Sequence, residues 1–129
     1  MTNHRPSPPP RAVVLLVDDE EGIRDVLTLG LKPHFDVESA PSTREAEVIL
    51  ATREFDVIVC DHLMPVEEGL PFLIRARAQF PKVQRILLTG YINPELLSRS
   101  SELAGLAGVL MKPVATDDLV AAIRHALPR

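Results

Sequence analysis

Short apolar runs alternate with amphipathic stretches along almost the whole chain, and this alternation constrains the fold more than any other feature. The runs are rich in Val, Ile and Leu, and three of them show no polar–apolar alternation, as expected for strands covered on both faces. The second run is more polar, which favours an edge position. Strand–helix alternation repeated five times predicts a parallel sheet sandwiched between helices. The predicted strands are Val13–Val17, Phe35–Ser39, Asp56–Cys60, Arg85–Leu88 and Gly108–Met111.

The stretches between the runs space their apolar residues as amphipathic helices do. Ser42 caps the second helix, and Glu45 three residues further on completes a capping box. Gly30 weakens the end of the first helix. The five predicted helices are marked by Ile23 to Leu31, Ser42 to Leu50, Gly69 to Phe80, Asn93 to Leu103, and Thr116 or Asp117 to Leu127.

Composition excludes several classes of protein. A chain of 129 residues that is 46% hydrophobic and 25% charged is typical of one globular domain with a real core. Its net charge of −4, without a Lys/Arg cluster, gives no general attraction to nucleic acid or to an anionic membrane. No apolar stretch approaches the roughly 18 residues of a membrane span. We therefore expect a cytoplasmic protein.

The start of the chain differs from the rest. Pro6 and Pro8 to Pro10 predict an extended, disordered leader, which lacks the apolar core of a signal peptide. We therefore divide the chain into a proline-rich leader, residues 1–11, and one folded domain, residues 12–129. The only cysteine, Cys60, closes an apolar run and is expected to be buried rather than reactive.

Polar side chains follow four of the predicted strands. Asp18 and Asp19 close the first, Asp61 closes the third, and Thr89 and Lys112 follow the last two. Ligands of open α/β sheets bind at the carboxyl ends of the strands, so these groups are predicted to share one site. Three close carboxylates repel one another unless a cation or raised pKa values relieve them, and Mg²⁺ prefers such oxygen ligands. The alternative for the acidic pair is that it caps the helix that follows.

Asp61 is the strongest candidate for chemistry. Pro65 and Gly69 shape a loop that leaves its carboxylate open. A carboxylate can attack a phosphoryl group as a nucleophile and form an aspartyl phosphate. Thr89 could donate its hydroxyl to the phosphoryl oxygens, and Lys112 could supply positive charge. Ordinary surface roles are the alternative for both residues.

Four motifs follow one another in a specific order: Asp18-Asp19, Asp61 with Met64-Pro65 and Gly69, Thr89-Gly90, and Lys112-Pro113. Together they resemble the receiver domain of two-component response regulators, over about Ala12 to Leu127. The resemblance implies a flavodoxin-like doubly wound α/β fold with five parallel strands in the order 2-1-3-4-5 and helices on both faces. It also implies site roles: phosphoacceptor for Asp61, switch hydroxyl for Thr89, phosphoryl contact for Lys112, and Mg²⁺ ligands in Asp18, Asp19, Asp61 and the backbone carbonyl of Leu63.

The implied function is that of a signalling domain and not of a turnover enzyme. A sensor histidine kinase or a phosphotransfer protein would pass a phosphoryl group from phosphohistidine to Asp61, assisted by Mg²⁺. Phosphorylation would switch the face formed by the fourth helix, the fifth strand and the last helix, which controls a downstream effector protein or an output domain. The same face suits a homodimer. We expect no nucleic-acid or membrane contact by this domain. A stand-alone receiver is favoured over a piece of a longer regulator, because no DNA-binding or catalytic segment follows Leu127.

Two features depart from the family pattern. Val109 stands where the family usually has an aromatic residue that moves with the switch threonine. Tyr91 is a candidate substitute, although a partly exposed structural role is the favoured interpretation of this tyrosine. Leu63 and Tyr91 lie two residues after the acceptor and the threonine, and neither orients water well. We therefore expect slow self-dephosphorylation.

Two other functions compete with this one. The first is a metal-dependent phosphohydrolase of the aspartyl-phosphate type, similar to the haloacid-dehalogenase-like phosphatases. Those enzymes use Asp-x-Asp, whereas this chain offers Asp18-x-Glu20 and has no cap domain. The second is a degenerate docking module that is never phosphorylated, which is disfavoured because every acidic and switch position is filled.

Overall fold

A five-stranded parallel sheet forms the centre of the protein in the computed structural model, which describes residues 11–90 and 102–128. The strand order is β2-β1-β3-β4-β5 and every pairing is parallel. The predicted flavodoxin-like fold and strand order are confirmed, including the edge position of β2. The strands are β1 (Val13–Val17), β2 (Asp36–Ala40), β3 (Val57–Asp61), β4 (Gln84–Thr89) and β5 (Gly108–Met111).

Three strands differ from their predicted limits by one residue. Asp56 lies before β3 rather than inside it, since its carboxylate accepts a hydrogen bond from the Val13 N–H and its own N–H donates to the Val13 carbonyl, both at 2.8 Å. At the other end Asp61 pairs with Leu88, which makes the candidate acceptor the last residue of β3. Thr89 likewise belongs to β4. Two site residues are therefore held by the sheet itself and not by the loops that follow.

Four helices are described in full: α1 (Glu21–Leu31), α2 (Thr43–Leu50), α3 (Gly69–Gln79) and α4 (Thr116–Ala126). The Ser42 hydroxyl accepts from the Glu45 N–H at 3.1 Å, which confirms the predicted cap of α2. Most of the helix predicted from Asn93 lies outside the described residues, and residues 102–104 are helical. The predicted leader also lies outside them, except for Arg11.

Gly30 lies within α1 and has a packing role that the sequence did not indicate. A Cβ atom at this position would lie 2.5 Å from Cγ2 of Thr116, the first residue of α4. The glycine therefore lets α1 and α4 approach closely, in addition to lowering helix propensity near the end of α1.

The helices cover both faces of the sheet. Leu15 and Val17 of β1 face α2 and α3, whereas Val14 and Leu16 face α1 and α4, and all four are fully buried. Because successive strand residues point to opposite faces, the unbroken apolar run of β1 serves two cores at once. No helix in the described part of the chain has the length and apolarity needed to cross a membrane.

Candidate functional site

Three carboxylates meet at the carboxyl ends of the two central strands. Oxygen atoms of Asp18, Asp19 and Asp61 all lie within 4.8 Å of one another. The sheet register explains the meeting: Val17 of β1 pairs with Cys60 of β3, so the residues that follow this pair, Asp18 and Asp61, lie side by side. The acidic groups predicted to share a site therefore do so.

Asp18 is fully buried and shapes the turn into α1. Its Oδ1 accepts from the Glu20 N–H at 3.0 Å, and its backbone carbonyl accepts from Arg24 at 2.8 Å. Glu20 is the N-cap of α1 but makes no side-chain capping bond. Local turn bonding thus accounts for one oxygen of Asp18. Its other oxygen, Oδ2, faces Lys112, so the capping alternative explains only part of the acidic pair.

Lys112 brings positive charge to this cluster from β5. The side-chain Nζ of Lys112 lies 3.1 Å from Asp61 Oδ2 and 3.4 Å from Asp18 Oδ2. The backbone N–H of Lys112 donates to the Thr89 carbonyl at 2.8 Å. Burial disfavours the ammonium, but the hydrogen bond and charge of Asp61 outweigh it, so the pKa of Lys112 is raised. The peptide bond to Pro113 is cis, which the sequence allowed.

Asp61 is 3% exposed, and its burial sets its electrostatics. Desolvation is the largest cause and raises the pKa of the Asp61 carboxyl. The hydrogen bond from Lys112 lowers this pKa, whereas the charges of Asp18 and Asp19 raise it, and the net shift is upward. One ammonium therefore does not balance three clustered carboxylates. An all-oxygen donor set with excess negative charge fits Mg²⁺, which takes hard oxygen ligands.

The raised pKa of Asp61 predicts a pH-dependent stability effect. A carboxyl whose pKa is higher in the folded protein than in the unfolded chain binds its proton more tightly when folded. Its contribution to the free energy of unfolding is complete at pH values below the pKa of the unfolded chain, and it is lost as the pH rises through the pKa of the folded protein. Without Mg²⁺ at pH 7.5, we expect Asp61→Asn to raise the free energy of unfolding by about 0.5–2 kcal/mol. Near pH 3 the gain should vanish. Urea unfolding at both pH values tests this, and an equal gain at both would contradict the electrostatic cause.

Thr89 closes β4 and is 2% exposed. Its strand partner is Met111, the residue before Lys112, so the hydroxyl and ammonium sit on adjacent strand ends. A Cβ atom at Gly90 would meet no other described atom within 4 Å, which agrees with open space beside Thr89. Val109 of β5, at the position of the usual aromatic residue, is partly buried against the core beside α2 and α3. Tyr91 lies outside the described residues.

The loop after β3 is fixed by close backbone contact. The Gly69 N–H donates to the His62 carbonyl at 2.9 Å, and a Cβ atom on Gly69 would lie 2.2 Å from the Asp61 carbonyl oxygen. Leu63 is 55% exposed, and Val66 is fully exposed with a φ of 72°, a left-handed conformation that is strained for a β-branched residue. The sequence predicted that Gly69 shapes this loop, but it did not show that the close approach of the Asp61 carbonyl requires a glycine there.

Two buried neighbours of Asp61 complete the candidate site. Cys60 is fully buried, and burial raises its pKa strongly, in agreement with the predicted unreactive thiol. His62 was missed in the sequence, where it is one polar residue in a loop. It is 3% exposed, and its Nε2 lies 3.0 Å from an Oε2 atom of Glu68 at the start of α3. This contact ties the end of β3 to α3.

Several known proteins are similar to this chain in sequence. The sequence model of the response regulator receiver domain matches residues 14–124. The hydrogenase transcriptional regulatory protein HoxA of Cupriavidus necator is 34% identical over 117 residues, which are 91% of this chain and 24% of HoxA. The transcriptional regulatory protein UhpA of Escherichia coli is 35% identical over 114 residues, 85% of this chain and 56% of UhpA. The chain thus spans about a quarter to a half of these curated relatives.

Solved structures agree with this. The chemotaxis protein CheY4 of Vibrio cholerae superposes with a TM-score of 0.85 at 32% identity, over 91% of this chain and 99% of CheY4. The signal receiver domain of an HD domain-containing protein from Pseudomonas fluorescens Pf-5 gives a TM-score of 0.84 at 32% identity, over 90% of this chain and 94% of that one. The chain belongs to the response regulator receiver domain family of two-component signalling. This membership favours a signalling domain over the phosphohydrolase alternative.

Proposed function

We propose that this domain acts in the cytoplasm and accepts a phosphoryl group on Asp61 from a phosphohistidine of a sensor histidine kinase or phosphotransfer protein. Asp18, Asp19, Asp61 and the backbone carbonyl of Leu63 would hold Mg²⁺. The observation that carries the proposal is the meeting of three carboxylates within 4.8 Å with the Lys112 ammonium 3.1 Å from Asp61. A nucleophile, a cation site and a fixed positive charge are what phosphoryl transfer requires.

The reaction follows from these positions. A carboxylate oxygen of Asp61 forms a bond to phosphorus as the P–N bond to the donor imidazole breaks, and the imidazole keeps the electron pair. Lys112 stabilises charge on the phosphoryl oxygens, and Thr89 donates its hydroxyl to one of them. Mg²⁺, when bound, neutralises further charge on these oxygens. Asp61 begins the step beside an ammonium that keeps its carboxylate oriented.

A groove of about 470 Å³ next to Lys112 supports a protein as the donor. Its walls include the apolar Ile23, Val26 and Val114, and Val26 is 65% exposed. A small phosphodonor does not need such a surface, whereas a protein that presents phosphohistidine buries apolar area on contact.

The product provides the signal. An aspartyl phosphate adds charge and acceptor oxygens next to Thr89, the last residue of β4, and Lys112, which directly follows β5. We propose that the face that includes β5 and α4 has two conformations and that phosphorylation shifts the population from one to the other. The second conformation controls an effector protein or an output domain. HoxA and UhpA bear the names of transcriptional regulators, which makes an output domain that controls transcription one form of this function.

Intact mass after incubation with acetyl phosphate and Mg²⁺ tests the proposal. We expect the wild type to gain one phosphoryl group, and Asp61→Asn to gain none because it lacks the nucleophile. Chelation of the metal should suppress the gain in the wild type. Absence of any gain, together with absence of beryllofluoride binding, would indicate a degenerate docking module and overturn the proposal.

The lifetime of the phosphorylated form follows from Leu63. Its side chain is apolar and exposed, two residues after the acceptor, so it cannot hydrogen-bond a water for attack on phosphorus. We expect Leu63→Asn to shorten the lifetime by roughly tenfold, within the range of a positioned polar group. The decay of the added mass after removal of acetyl phosphate measures this. An unchanged lifetime would show that Leu63 does not limit hydrolysis.

A further inference from the structure

Arg85 is a buried positive charge at the far end of β4 from the site. It is 6% exposed, and its guanidinium donates to the carbonyls of Ala104, Val83 and Gly105 at 2.6, 2.5 and 3.2 Å. Burial and the charge of Arg77 lower its pKa. Among residues 11–90 and 102–128, neither arginine forms an ion pair with a carboxylate. A buried guanidinium held only by backbone carbonyls is unusual and calls for a reason.

Arg77 of α3 binds the residues that directly precede Ala104. Its Nη1 donates to the carbonyls of Glu102 and Leu103 at 2.7 and 3.2 Å. Gly105 has a φ of +56°, and a Cβ atom there would lie 3.0 Å from the Arg77 guanidinium and 3.2 Å from that of Arg85. The glycine thus provides both the left-handed turn and the room for two side chains. We call Arg77 and Arg85, around residues 102–105, the arginine anchor.

The anchor meets the electrostatic requirement of a helix end. The last carbonyls of a helix lack intrahelical partners and carry partial negative charge, which cations stabilise. Residues 102–104 are helical and Gly105 follows them in the position of a C-terminal cap. Two guanidiniums therefore satisfy four consecutive carbonyls and fix this helix end to β4 and α3.

The fixed segment leads directly into β5. The Ala107 N–H donates to the Arg85 carbonyl at 2.7 Å, so Arg85 holds the entry to β5 with its backbone as well as with its side chain. β5 has four residues and, within the described part of the chain, pairs only with β4. Lys112 follows at its other end. A short edge strand is held by one neighbour only. The position of β5 along β4 therefore depends on where the segment before β5 is fixed.

We propose that the arginine anchor positions Lys112 for phosphotransfer by fixing the entry to β5, which makes Arg85 a positioning residue of the reaction. The inference rests on the proposed function of Asp61 and Lys112. Arg85 lies at the opposite end of β4 from the site. It therefore positions the Lys112 ammonium through the backbone of β5 and does not contact the phosphoryl group.

A double-mutant cycle with Lys112 tests the proposal. We expect Arg85→Met to slow phosphorylation by acetyl phosphate roughly tenfold, since small misplacement of a charged group costs this much or more. In the Lys112→Ala background, Arg85→Met should change the residual rate less than twofold, roughly, because the group that it positions is already absent. Arg53→Met is the matched control, since Arg53 pairs at the surface with Asp36 and Glu38 and should leave the rate unchanged.

Hydrogen exchange gives a second readout that does not need phosphorylation. In Arg85→Met we expect the amides of residues 105–112 to exchange about tenfold faster or more, with β1 and β3 unchanged. Equal slowing of phosphorylation in both backgrounds would reveal only a structural role, and unchanged exchange would overturn the anchor itself. A wild type that accepts no phosphoryl group would overturn the proposed function, while the exchange result would still decide whether the anchor holds β5.

Discussion

Replacement of Gly69 by alanine is expected to cost about 3 kcal/mol of folding free energy, at the upper end of the range for overpacking. The added Cβ atom would lie 2.2 Å from the backbone carbonyl oxygen of Asp61 and 3.0 Å from the Cys60 sulfur. No rotamer change can relieve a clash with backbone, so either β3 or the start of α3 must shift. Because the shift falls on Asp61, the proposed acceptor, phosphorylation by acetyl phosphate should also slow by at least about tenfold. Urea unfolding and intact mass measure the two effects.

Gly22→Ala is the matched control for this substitution. Gly22 lies in α1, and a Cβ atom there meets no other described atom within 4 Å. Alanine has the higher helix propensity, so this variant should be stabilised by up to about 1 kcal/mol with an unchanged phosphorylation rate. If Gly69→Ala were as stable as Gly22→Ala, the close contact with Asp61 would not constrain the fold.

Removal of the Lys112 ammonium should lower the rate of phosphorylation by roughly 10²-fold, the cost of losing one preorganised group that stabilises the transition state. Lys112→Ala should at the same time bind Mg²⁺ more tightly, since the carboxylates of Asp18 and Asp61 lose the cation that competes for their charge. The opposite signs of these two effects distinguish an electrostatic role from general damage. Acetyl phosphate kinetics and isothermal titration with MgCl₂ measure them separately.

Lys82→Ala, at an exposed lysine before β4, serves as the control for the loss of one positive charge. It should leave both the rate and the Mg²⁺ affinity unchanged. Weaker Mg²⁺ binding in Lys112→Ala would contradict the expectation, because it would mean that the lysine supports the metal site structurally and does not compete with it.

The sheet could be predicted from the sequence because its strands have a strong physical signature. A run such as that of β1 is short, apolar at every position and rich in Val and Leu, as expected for a strand buried on both faces. The order of the strands came from a family resemblance carried by polar residues at their ends. The C-terminal limits of β3 and β4 were predicted one residue too early, because Asp61 and Thr89 are polar and looked like loop residues, although the ladder continues through both.

Close contacts between distant parts of the chain could not be predicted in this way. Gly69 and Gly30 appeared as a loop residue and a helix weakener, whereas each provides room for a neighbour that only the fold brings near. Arg85 appeared as the polar start of a strand, and nothing local signals that it binds carbonyls 19 and 20 residues later. The spacing of apolar residues predicts which face of a helix or strand is buried. It does not predict which other helix or strand contacts that face.

The strand order also fixes when the site is completed during synthesis. All three clustered carboxylates come from β1 and β3, which are adjacent in the sheet although α1, β2 and α2 lie between them in the chain. The balancing ammonium comes from residue 112 and cannot join until β4 and β5 have been made and added to the sheet edge. Before β5 has been made, the three carboxylates therefore lack the ammonium of Lys112, and under the proposed function phosphotransfer to Asp61 waits for the fifth strand of the sheet.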